Sequence, residues 1–389
     1  MGPFGSKITK ENYVSDGVPV IRGVNLAQGI FVDDDFVFVT SEKADEIMSA
    51  NVEPGDLIFT HRGTIGQVSM VPRKPRFDRY VIGSSQVKTR LDEKRAVPEF
   101  YYYWFQSPGG QHSILAHAST VGVPGISTPL TSIRNLKVPH PKLSEQQAVV
   151  EVLGALDDKI AINESIAATS RQLGLKLFSQ AVLAGEAVEV AVESVSAALT
   201  RGITPKYSEH ADDLVVLNQK CIRDGRVSLA PARLTLREKV REPKLLRRND
   251  VLVNSTGVGT LGRVARWTSD DMGTVDSHIT IVRFDEKEVD PVCAGFAMLQ
   301  SQTEIEAMGE GSTGQTELRR AQLGGLEIRL PSKAQQQRLR ARLDALEERA
   351  DQALTESVSL SALRDTLLPQ LMSGRLRVRD AEKIVEDHV

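Results

Sequence analysis

The sequence predicts an α+β fold with two similar globular units, each followed by a long helix. Residues 143–185 carry apolar or small side chains at alternating spacings of four and three, the pattern of a helix that packs along another helix. The same pattern returns 190 residues later, so the partner helix lies in the same chain. The strand and turn motifs before the first helix also recur in order before the second. The chain therefore contains a long internal repeat.

The repeat defines a seam, meaning the apolar stripe along which the two helices pack. The seam residues that we predict are Val149, Leu153, Leu156, Ile160 and Asn163 on the first helix, and Leu339, Leu343, Leu346, Leu360 and Leu367 on the second. Asn163 is the polar member of this set. It either fixes the register of the helix pair, as a buried polar residue does in coiled coils, or is exposed or satisfied locally.

Composition places the chain among ordinary globular proteins of two or three domains. It has 389 residues, 41% of them hydrophobic and 25% charged, with a formal net charge of −3. A net charge this low excludes a protein that coats polyanions, so nucleic-acid binding would depend on local patches. Two cysteines cannot form a disulfide framework, and no run is apolar enough to span a membrane. We therefore expect a cytoplasmic protein with no membrane partner.

The first unit reads as a series of short strands and helices. A strong hairpin is predicted around Gly63 and Gly66, and the aromatic run Tyr101–Phe105 predicts a helix whose spacing favours core packing over base stacking. The predicted elements are a strand at 17–26, a short helix at 41–50, the hairpin at 55–72, a strand at 79–91 and a helix at 98–114.

The second unit repeats this order with different residues between the shared positions. Our alignment places Ser277 at the position of Ser85 and His278 at that of Gln86. The second unit is preceded by VEVAVESVSAALTR (188–201), which reads as a strand and a short helix, and the first unit has no such segment before it. We consider the tail after residue 376 as a candidate donor of the missing strand.

Several motifs resemble those of the specificity subunits of type I restriction–modification systems. They are GPFGS, VPVIRGVNL, PGDLIFTHRGTIG and LKVPHPKLSEQQ, and the resemblance covers essentially the whole chain. It implies two target-recognition domains, each reading one half of a split DNA site. It also implies that the long helices pack as an antiparallel coiled coil, which sets the gap and docks methyltransferase subunits. The implied segments are recognition domains at 1–140 and 189–330, helical spacers at 141–188 and 331–376, and a C-terminal tail at 377–389.

The resemblance further implies a non-catalytic subunit that holds no cofactor itself. Its expected partners are double-stranded DNA, two modification subunits that bind S-adenosylmethionine, and motor-nuclease restriction subunits that use ATP and Mg²⁺. The assembly would methylate adenine N6 and cleave unmodified DNA. A helix of about 40 residues is ~60 Å long, roughly 17 base pairs. A rod of that length with a reader at each end could touch two half-sites about one helical turn apart.

Base readout needs donors and acceptors that reach the groove edges, which Arg, Asn and Gln offer in pairs. Candidates stand at predicted strand ends and hairpin tips, and for any one of them a plain surface or turn role is the competing interpretation. In the first unit they are Arg22, Asn25, His61, Arg62, Ser85, Gln86 and Lys88. In the second unit they are Asn218, Gln219, Lys220, Asn254, Ser255, Thr256 and His278.

Other functions remain as alternatives. Gly257, Gly259 and Gly262 spell G-x-G-x-x-G, but a strand-like alternation follows where a dinucleotide site needs a helix. We find no nucleotide, metal or nucleophile motif, which disfavours an enzyme with its own site. The remaining alternatives are an assembly scaffold that does not bind DNA, a DNA-binding or assembly scaffold of another defence system, and a silent truncated copy.

Overall fold

The computed structural model describes residues 2, 8–29, 31–119, 124–309 and 317–388. The chain forms two compact units. Unit 1 comprises residues 1–161 and 357–389, and unit 2 comprises residues 162–356. Both boundaries fall inside the long helices, so each unit contains a globular domain and one paired stretch of the two helices. Most of the GPFGS motif lies outside the described residues.

Unit 1 is built from short strands in small sheets. The strands are β1 Val18–Ile21, β2 Val37–Val39, β3 Asn51–Val52, β4 Leu57–Thr60, β5 Val68–Met70, β6 Tyr80–Ile82, β7 Gln86–Thr89, β8 Ala118–Ser119 and β9 Gly125–Ile126. Its helices are α1 Ser41–Glu46, α2 Pro98–Gln106, α3 Pro108–Leu115 and α4 Pro129–Arg134. One sheet has the order β2-β1-β6-β3, a second has β5-β4-β7, and β8 pairs with β9.

The first of the two predicted long helices, α5, covers Leu143–Ala184 and has 42 residues.

Unit 2 repeats the central strand pairings of unit 1 and adds further strands to them. Its strands are β10 Val188–Ala191, β11 Ser196–Arg201, β12 Tyr207–Ser208, β13 Leu214–Leu217, β14 Ile222–Arg223, β15 Arg226–Val227, β16 Arg233–Thr235, β17 Val251–Asn254, β18 Val264–Arg266, β19 Gly273–Val275, β20 Ile279–Phe284 and β21 Glu327–Leu330. Its helices are α6 Pro291–Gln300, α7 Gln302–Ala307 and α8 Arg320–Gly324. The sheets are β11-β20-β17-β18, β12-β16-β13-β19, β14-β15 and β10-β21.

The second long helix, α9, covers Lys333–Met372 and has 40 residues. In unit 1, the Arg364 guanidinium on α9 lies 2.7 Å from the Asp157 carboxylate on α5. In unit 2, Asn163 donates to Glu356 at 2.9 Å, and Arg171 pairs with Asp351 at 3.1 Å. Residue numbers rise along α5 as they fall along α9, which confirms the predicted antiparallel pairing.

Eight of the ten predicted seam residues are buried, whereas Ile160 and Leu346 are half-buried. Leu346 is only half-buried, whereas the neighbouring Glu347 is 5% exposed. The buried positions on α9 are spaced by four, four and three, at Leu339, Leu343, Glu347 and Ala350. Glu347 thus takes the place that the predicted alternation gave to Leu346, and its carboxylate lies 3.9 Å from the Arg266 guanidinium. Asn163 is buried with a partner on the other helix, which favours the register interpretation over local satisfaction.

Three predicted elements differ in the structure. The strand at 79–91 is two strands, β6 and β7, separated by a turn at Gly83. The helix at 98–114 breaks at Ser107, whose side chain caps α3 by accepting from the Gly110 N–H, and Pro108 stands at the first position of α3, where a missing N–H costs nothing. The tail is not a strand. It forms helix α10, Val378–Glu386, with Ala381 and Val385 buried in the unit 1 core.

The aromatic run on α2 is confirmed as core. Tyr101, Tyr103, Trp104 and Phe105 are each at most 8% exposed, and they pack against the α5 and α9 segments of unit 1. In unit 2 the shorter side chains of α6 occupy the same layer, and Phe296 packs against Phe178 of α5. These contacts tie each globular domain to its own stretch of the helix pair.

Candidate nucleic-acid interface

Three strands of unit 1 end at one corner. The parallel strands β1 and β6 finish side by side, and the Gly83 N–H donates to the Ile21 carbonyl at 2.8 Å. Beyond the end of β4, the His61 N–H donates to the Ser85 carbonyl at 2.9 Å. The turn after β6 and the hairpin loop after β4 are thereby fixed against each other.

Polar side chains collect at this corner of unit 1. The His61 Nε2 lies 3.1 Å from the Ser84 carbonyl, and Arg62 next to it is exposed. Arg22 follows β1 and donates from Nη2 to the Asp35 carbonyl at 3.1 Å, while its Nε has no partner among the described residues. The structure therefore brings together four predicted residues, Arg22, His61, Arg62 and Ser85.

The surroundings of His61 favour the neutral form of its imidazole. Partial burial is the main factor that lowers the pKa of its imidazole, and the neighbouring Arg62 charge lowers the pKa further, although the bond to the Ser84 carbonyl opposes this. A neutral imidazole presents one donor and one acceptor. The corner therefore combines a permanent cation with a neutral ring, which suits contacts to both phosphates and base edges.

Unit 2 has the same corner with different side chains. The Asp276 N–H donates to the Leu217 carbonyl at 2.9 Å, and the Ser255 N–H donates to the His278 carbonyl at 2.8 Å. Thr256 Oγ1 and His278 Nδ1 lie 2.6 Å apart, and Lys220 is exposed on the short helix after β13. Two arginines also reach this corner, since Arg201 donates to the Ser277 carbonyl at 3.2 Å and Arg263 donates to the Gly259 carbonyl at 2.9 Å.

Asn218 and Gln219 are half-buried beside this corner. Asn218 caps the short helix by accepting from the Lys220 N–H at 2.9 Å, and its amide donates to the Pro231 carbonyl. The Gln219 carbonyl accepts from Asn254, while its side-chain Oε1 is buried without a partner among the described residues. Both residues support the loop more directly than they present groups to solvent.

Four predicted contact residues are interior residues and are corrected here. Asn25, Gln86, Asn254 and Ser255 are each at most 2% exposed, so they cannot reach a groove edge as placed. Asn25 accepts from the Arg22 N–H, Asn254 donates to the Gln219 and Thr260 carbonyls, and Ser255 pairs with Thr280 at 2.6 Å. Polar side chains at strand ends serve the loops here, because buried backbone groups need partners.

Lys88 also serves the framework. Its side chain is half-buried, and its Nζ donates to the Asn51 carbonyl. Burial is the main factor that lowers the pKa of this amine, against the attraction of Asp56. Lys88 stands two residues further along β7 than Gln86, away from the corner.

Our alignment of the strand after this corner was wrong by one residue. Ser85 and His278 accept the same backbone bond, from His61 and Ser255, so they are the true counterparts. Gln86 then corresponds to Ile279, and both are buried. A slip of one residue moves each side chain to the opposite face of a strand, which explains how Gln86 was misjudged.

Sequence reasoning missed two exposed residues at these corners. Ser84 is exposed in the turn after β6 and supplies the carbonyl that holds His61. Val258 is 83% exposed at the hairpin tip of unit 2, between Gly257 and Gly259, which both have positive φ. An apolar residue in a glycine turn was the available signal, since such a side chain can contact a thymine methyl group.

The framework beneath each corner is nearly the same in both units. Asp56 receives two bonds from Arg90, both 2.8 Å, and Asp250 receives two from Arg283, at 2.8 and 2.6 Å. These bidentate pairs join the hairpin to the neighbouring strand. The hairpin glycines occupy turns with positive φ, and strand β18 follows them, so G-x-G-x-x-G is a turn motif.

Among the described residues, no cluster of acidic, cysteine or histidine side chains could hold a metal ion. Cys221 and Cys293 are both buried and free. Within the described part of the chain, every helix is too short or too polar to cross a membrane.

Comparison with known proteins gives a consistent result. Residues 5–169 match the family described as type I restriction modification DNA specificity domain. The StySPI specificity subunit of a Salmonella potsdam type I restriction enzyme is 22% identical, over 94% of this chain and 84% of its own length. A Methanocaldococcus jannaschii protein assigned as the type I restriction enzyme MjaX specificity subunit is 20% identical, over 95% and 90%.

A solved structure supports the fold. The crystal structure of the S subunit of a type I restriction–modification system from M. genitalium matches with a TM-score of 0.59 and 17% identity, over 94% of this chain and 91% of that one. The repeat of two domains and two long helices is therefore a known arrangement. Residues 5–169 thus match a type I specificity domain, and the two relatives, each matched over at least 94% of this chain, are described as type I specificity subunits, so this chain is similar to that family along most of its length.

Proposed function

We propose that this chain is the sequence-specificity subunit of a type I restriction–modification complex, in which each unit reads one half of a bipartite DNA site. The observation that carries this proposal is the pair of corners. Both are built on the same backbone bonds, yet one presents Arg22, His61 and Arg62, and the other presents Lys220, Thr256 and His278. A common scaffold with different tips suits two readers of different sequences.

The chain acts without its own catalytic site in this proposal. Two modification subunits supply S-adenosylmethionine and transfer the methyl group to adenine N6, and restriction subunits supply ATP- and Mg²⁺-dependent movement and cleavage. The long helices α5 and α9 dock the modification subunits and set the number of unread base pairs. With 42 and 40 residues, each helix is ~60 Å long. Such an assembly works on DNA in the cytoplasm.

The decisive experiment is single-molecule sequencing of host DNA for N6-methyladenine, with the gene intact and deleted. We expect a split motif with a constant gap that disappears on deletion. Replacing residues 191–330 by the matching unit of another subunit then changes one half of the motif, and a change in both halves contradicts the model of two readers. If deletion changes no motif, the chain is a silent copy or a scaffold with another role.

A second experiment tests whether the length of the helices sets the gap between the two half-sites. One heptad is inserted into α5 and one into α9 at facing positions, so that the seam keeps its period. We expect a longer gap with both half-sites unchanged. A gap of the original length in an active complex contradicts the proposed spacer role.

A further inference from the structure

One connection between strands has the same length and the same flanking strands in both units. In unit 1 it covers residues 22–36, between β1 and β2, and in unit 2 it covers residues 218–232, between β13 and β16. A shift of 196 residues maps one pair of flanking strands onto the other with the same register. The two connections can therefore be compared residue by residue.

A backbone hydrogen bond closes each connection at the same place. In unit 1 the Val32 N–H donates to the Asn25 carbonyl at 2.9 Å, and in unit 2 the Ser228 N–H donates to the Cys221 carbonyl at 2.7 Å. The segments between the bonded residues are LAQGIF at 26–31 in unit 1 and IRDGRV at 222–227 in unit 2.

The two connections differ in charge. Unit 2 has Arg223 and Arg226 where the sequence of unit 1 has Ala27 and Ile30. Residues 218–232 include three basic residues and one acid, whereas residues 22–36 include one basic residue and three acids. The same backbone frame therefore carries a basic connection in unit 2 and an acidic one in unit 1.

In unit 2 the enclosed residues form a tight ribbon of two strands. Strand β14 pairs antiparallel with β15, and Asp224 and Gly225 make the turn between them. Both turn residues have positive φ, 53° and 71°, as a type I′ turn requires, and Asp-Gly is a preferred sequence for that turn. Arg223 pairs directly with Arg226, so their Cβ atoms lie about 5 Å apart on one face of the ribbon.

The two guanidinium groups of the ribbon lack an acidic partner. Within the described part of the chain, neither Arg223 nor Arg226 forms an ion pair or a side-chain hydrogen bond. Arg223 is exposed, Arg226 is half-buried, and the exposed Lys220 precedes them on the short helix Gln219–Cys221. Like charges that face each other across an antiparallel pair repel, so an anion bound between the two arginines would remove this repulsion.

The ribbon is fixed beside the corner of unit 2. Asn254 links the two, because its amide donates to one carbonyl of the short helix and to one carbonyl of the hairpin, at 2.9 and 3.0 Å. Arg263 makes a second link, from Nη1 to the Ile222 carbonyl at 3.5 Å and from Nη2 to the Gly259 carbonyl at 2.9 Å. Because phosphates line both rims of a DNA groove, a surface beside a corner that reads bases faces the phosphate backbone.

We propose that the β14–β15 ribbon binds a phosphate of the DNA backbone between Arg223 and Arg226, beside the half-site that unit 2 reads. This inference rests on the proposed function, since its ligand is the DNA duplex. Arginine suits the role because its guanidinium can donate two parallel hydrogen bonds to a phosphate. The contact adds affinity without base information, so the recognised sequence does not depend on it. Since unit 1 has no arginine pair at this position, the two half-sites contribute unequally to the salt-dependent part of DNA binding.

The first test measures DNA affinity at several salt concentrations, for the complex of this chain with its modification subunits. One duplex carries the methylated motif found by sequencing, and a second duplex lacks it. The ribbon variant, Arg223→Ala with Arg226→Ile, gives unit 2 the residues of unit 1 at these positions. We expect its affinity to be about fivefold lower on both duplexes, and the slope of log affinity against log salt to fall by about 1 for each lost phosphate contact.

Lys239→Ala with Arg241→Ala is the matched control, because it removes two exposed positive charges of unit 2 beyond the other end of β16. Equal affinity of the parent and the ribbon variant, or equal losses in the two double variants, overturns the proposal. If the parent complex shows no salt-dependent affinity for either duplex, the proposed function itself fails, so the two failures are distinguishable.

The second test locates the phosphate. Phosphates beside the half-site of unit 2 are replaced one at a time by neutral methylphosphonate. We expect at least one replacement to weaken binding by the parent complex and not by the ribbon variant, because the variant has already lost that contact. If every replacement weakens both complexes alike, the ribbon contacts none of these phosphates and the proposal is wrong.

The stability of unit 2 separates DNA binding from a structural role of the two arginines. It is followed through Trp267 fluorescence in a Trp104→Phe background, since each unit holds one tryptophan. Removal of two facing positive charges should leave the thermal midpoint of the ribbon variant unchanged or higher. A lower midpoint would mean that the arginines stabilise the fold, which contradicts the proposal.

Discussion

In each unit, one glutamine of a long helix makes the same two backbone hydrogen bonds and so joins the globular domain to the helix. We call this pair of bonds the bracket. In unit 1, Gln146 accepts from the Val97 N–H at 2.8 Å and donates to the Pro141 carbonyl at 2.8 Å. In unit 2, Gln336 accepts from the Asp290 N–H at 2.9 Å and donates to the Pro331 carbonyl at 2.8 Å. Both glutamines are buried, so each bracket satisfies backbone groups that water cannot reach.

About three turns further along, the same two helices differ. Asp157 in unit 1 accepts from the Tyr103 hydroxyl and from Arg364, both at 2.7 Å. Burial and the nearby carboxylate raise the pKa of Tyr103. The 190-residue shift takes Asp157 to Glu347, whose nearest cation is Arg266, a residue of strand β18.

The position of Arg364 on the partner helix is occupied by Gly174 in unit 2. A Cβ at Gly174 would stand 2.9 Å from the Phe296 ring, so glycine lets the aromatic ring pack directly on α5. The acid is thus kept in both units, while its cation comes from a helix in one and from a sheet in the other. In both units the acid therefore lies beside a cation, but different elements supply that cation.

The largest expected effect tests this difference. Arg266 is 3% exposed and also bonds Asn249 and Asp344, at 2.7 and 3.1 Å. We expect Arg266→Met to cost unit 2 ~3–5 kcal/mol, because buried acids lose their cation. Urea unfolding monitored by Trp267 in a Trp104→Phe background measures the loss.

Two variants serve as comparisons for that measurement. Arg364→Met should cost unit 1 only about 1 kcal/mol, since the Arg364 side chain is 27% exposed and water can replace it. Adding Glu347→Leu to Arg266→Met should restore most of the loss in unit 2. If the two arginine substitutions lower the free energy of unfolding equally, the two cations contribute equally to stability, which contradicts this prediction.

Removal of the bracket should lower the free energy of unfolding by a similar amount in each unit. Gln146→Leu and Gln336→Leu each leave a buried N–H and a buried carbonyl without a partner, and we expect each to cost about 2 kcal/mol. The two single-tryptophan backgrounds report the units separately in denaturant unfolding. Gln147→Leu and Gln337→Leu are matched controls, because both neighbours are exposed. A loss confined to one unit would break the equivalence of the brackets.

Substitutions at the two corners should each affect the recognition of a different half-site. If Arg62 contacts a guanine, Arg62→Ala costs about 1–3 kcal/mol at one base pair, at least a fivefold loss of discrimination there. Thr256→Ala should affect the other half-site only. Methylation of substrates varied one base pair at a time measures both. Lys74→Ala is a suitable control, because Lys74 is exposed in the loop at the opposite ends of β5 and β6. A uniform change across both half-sites would contradict separate readers.

The smallest effect concerns pH. Because the pKa of His61 is lowered from its usual value of 6.5, its ring stays neutral as pH falls to that value. The unfolded chain takes up this proton first, so the His61 contribution to stability is present above about pH 6.5 and is lost as pH falls below it. We expect the DNA-affinity difference between the parent and His61→Gln to be constant from about pH 8 to 6.5. A change that begins within that range, above pH 6.5, would mean that His61 becomes charged there.

The sequence predicted the parts of the molecule that follow from periodicity and repetition. The long helices, their pairing within the chain and the aromatic core of unit 1 all carry strong local patterns. The contact residues were harder, because polar side chains at strand ends can serve either loops or partners. Asn25 and Asn254 are of a residue type that can contact bases, but their side chains form hydrogen bonds with the backbone of neighbouring loops. Without the backbone bonds of Ser85 and His278, an error of one residue could not be seen.

By itself the sequence determined that two similar units alternate with two long helices, since a 190-residue repeat of apolar spacing allows few other arrangements. Tertiary structure alone decided which cation lies beside each acid of the helix pair and which polar residues are interior. These features depend on distances between segments far apart in the chain, such as Arg266 to Glu347 and Gly2 to Gln86. The spacing of residues along a sequence determines which side chains share one face of a helix or strand. Only the folded chain determines which residues contact that face.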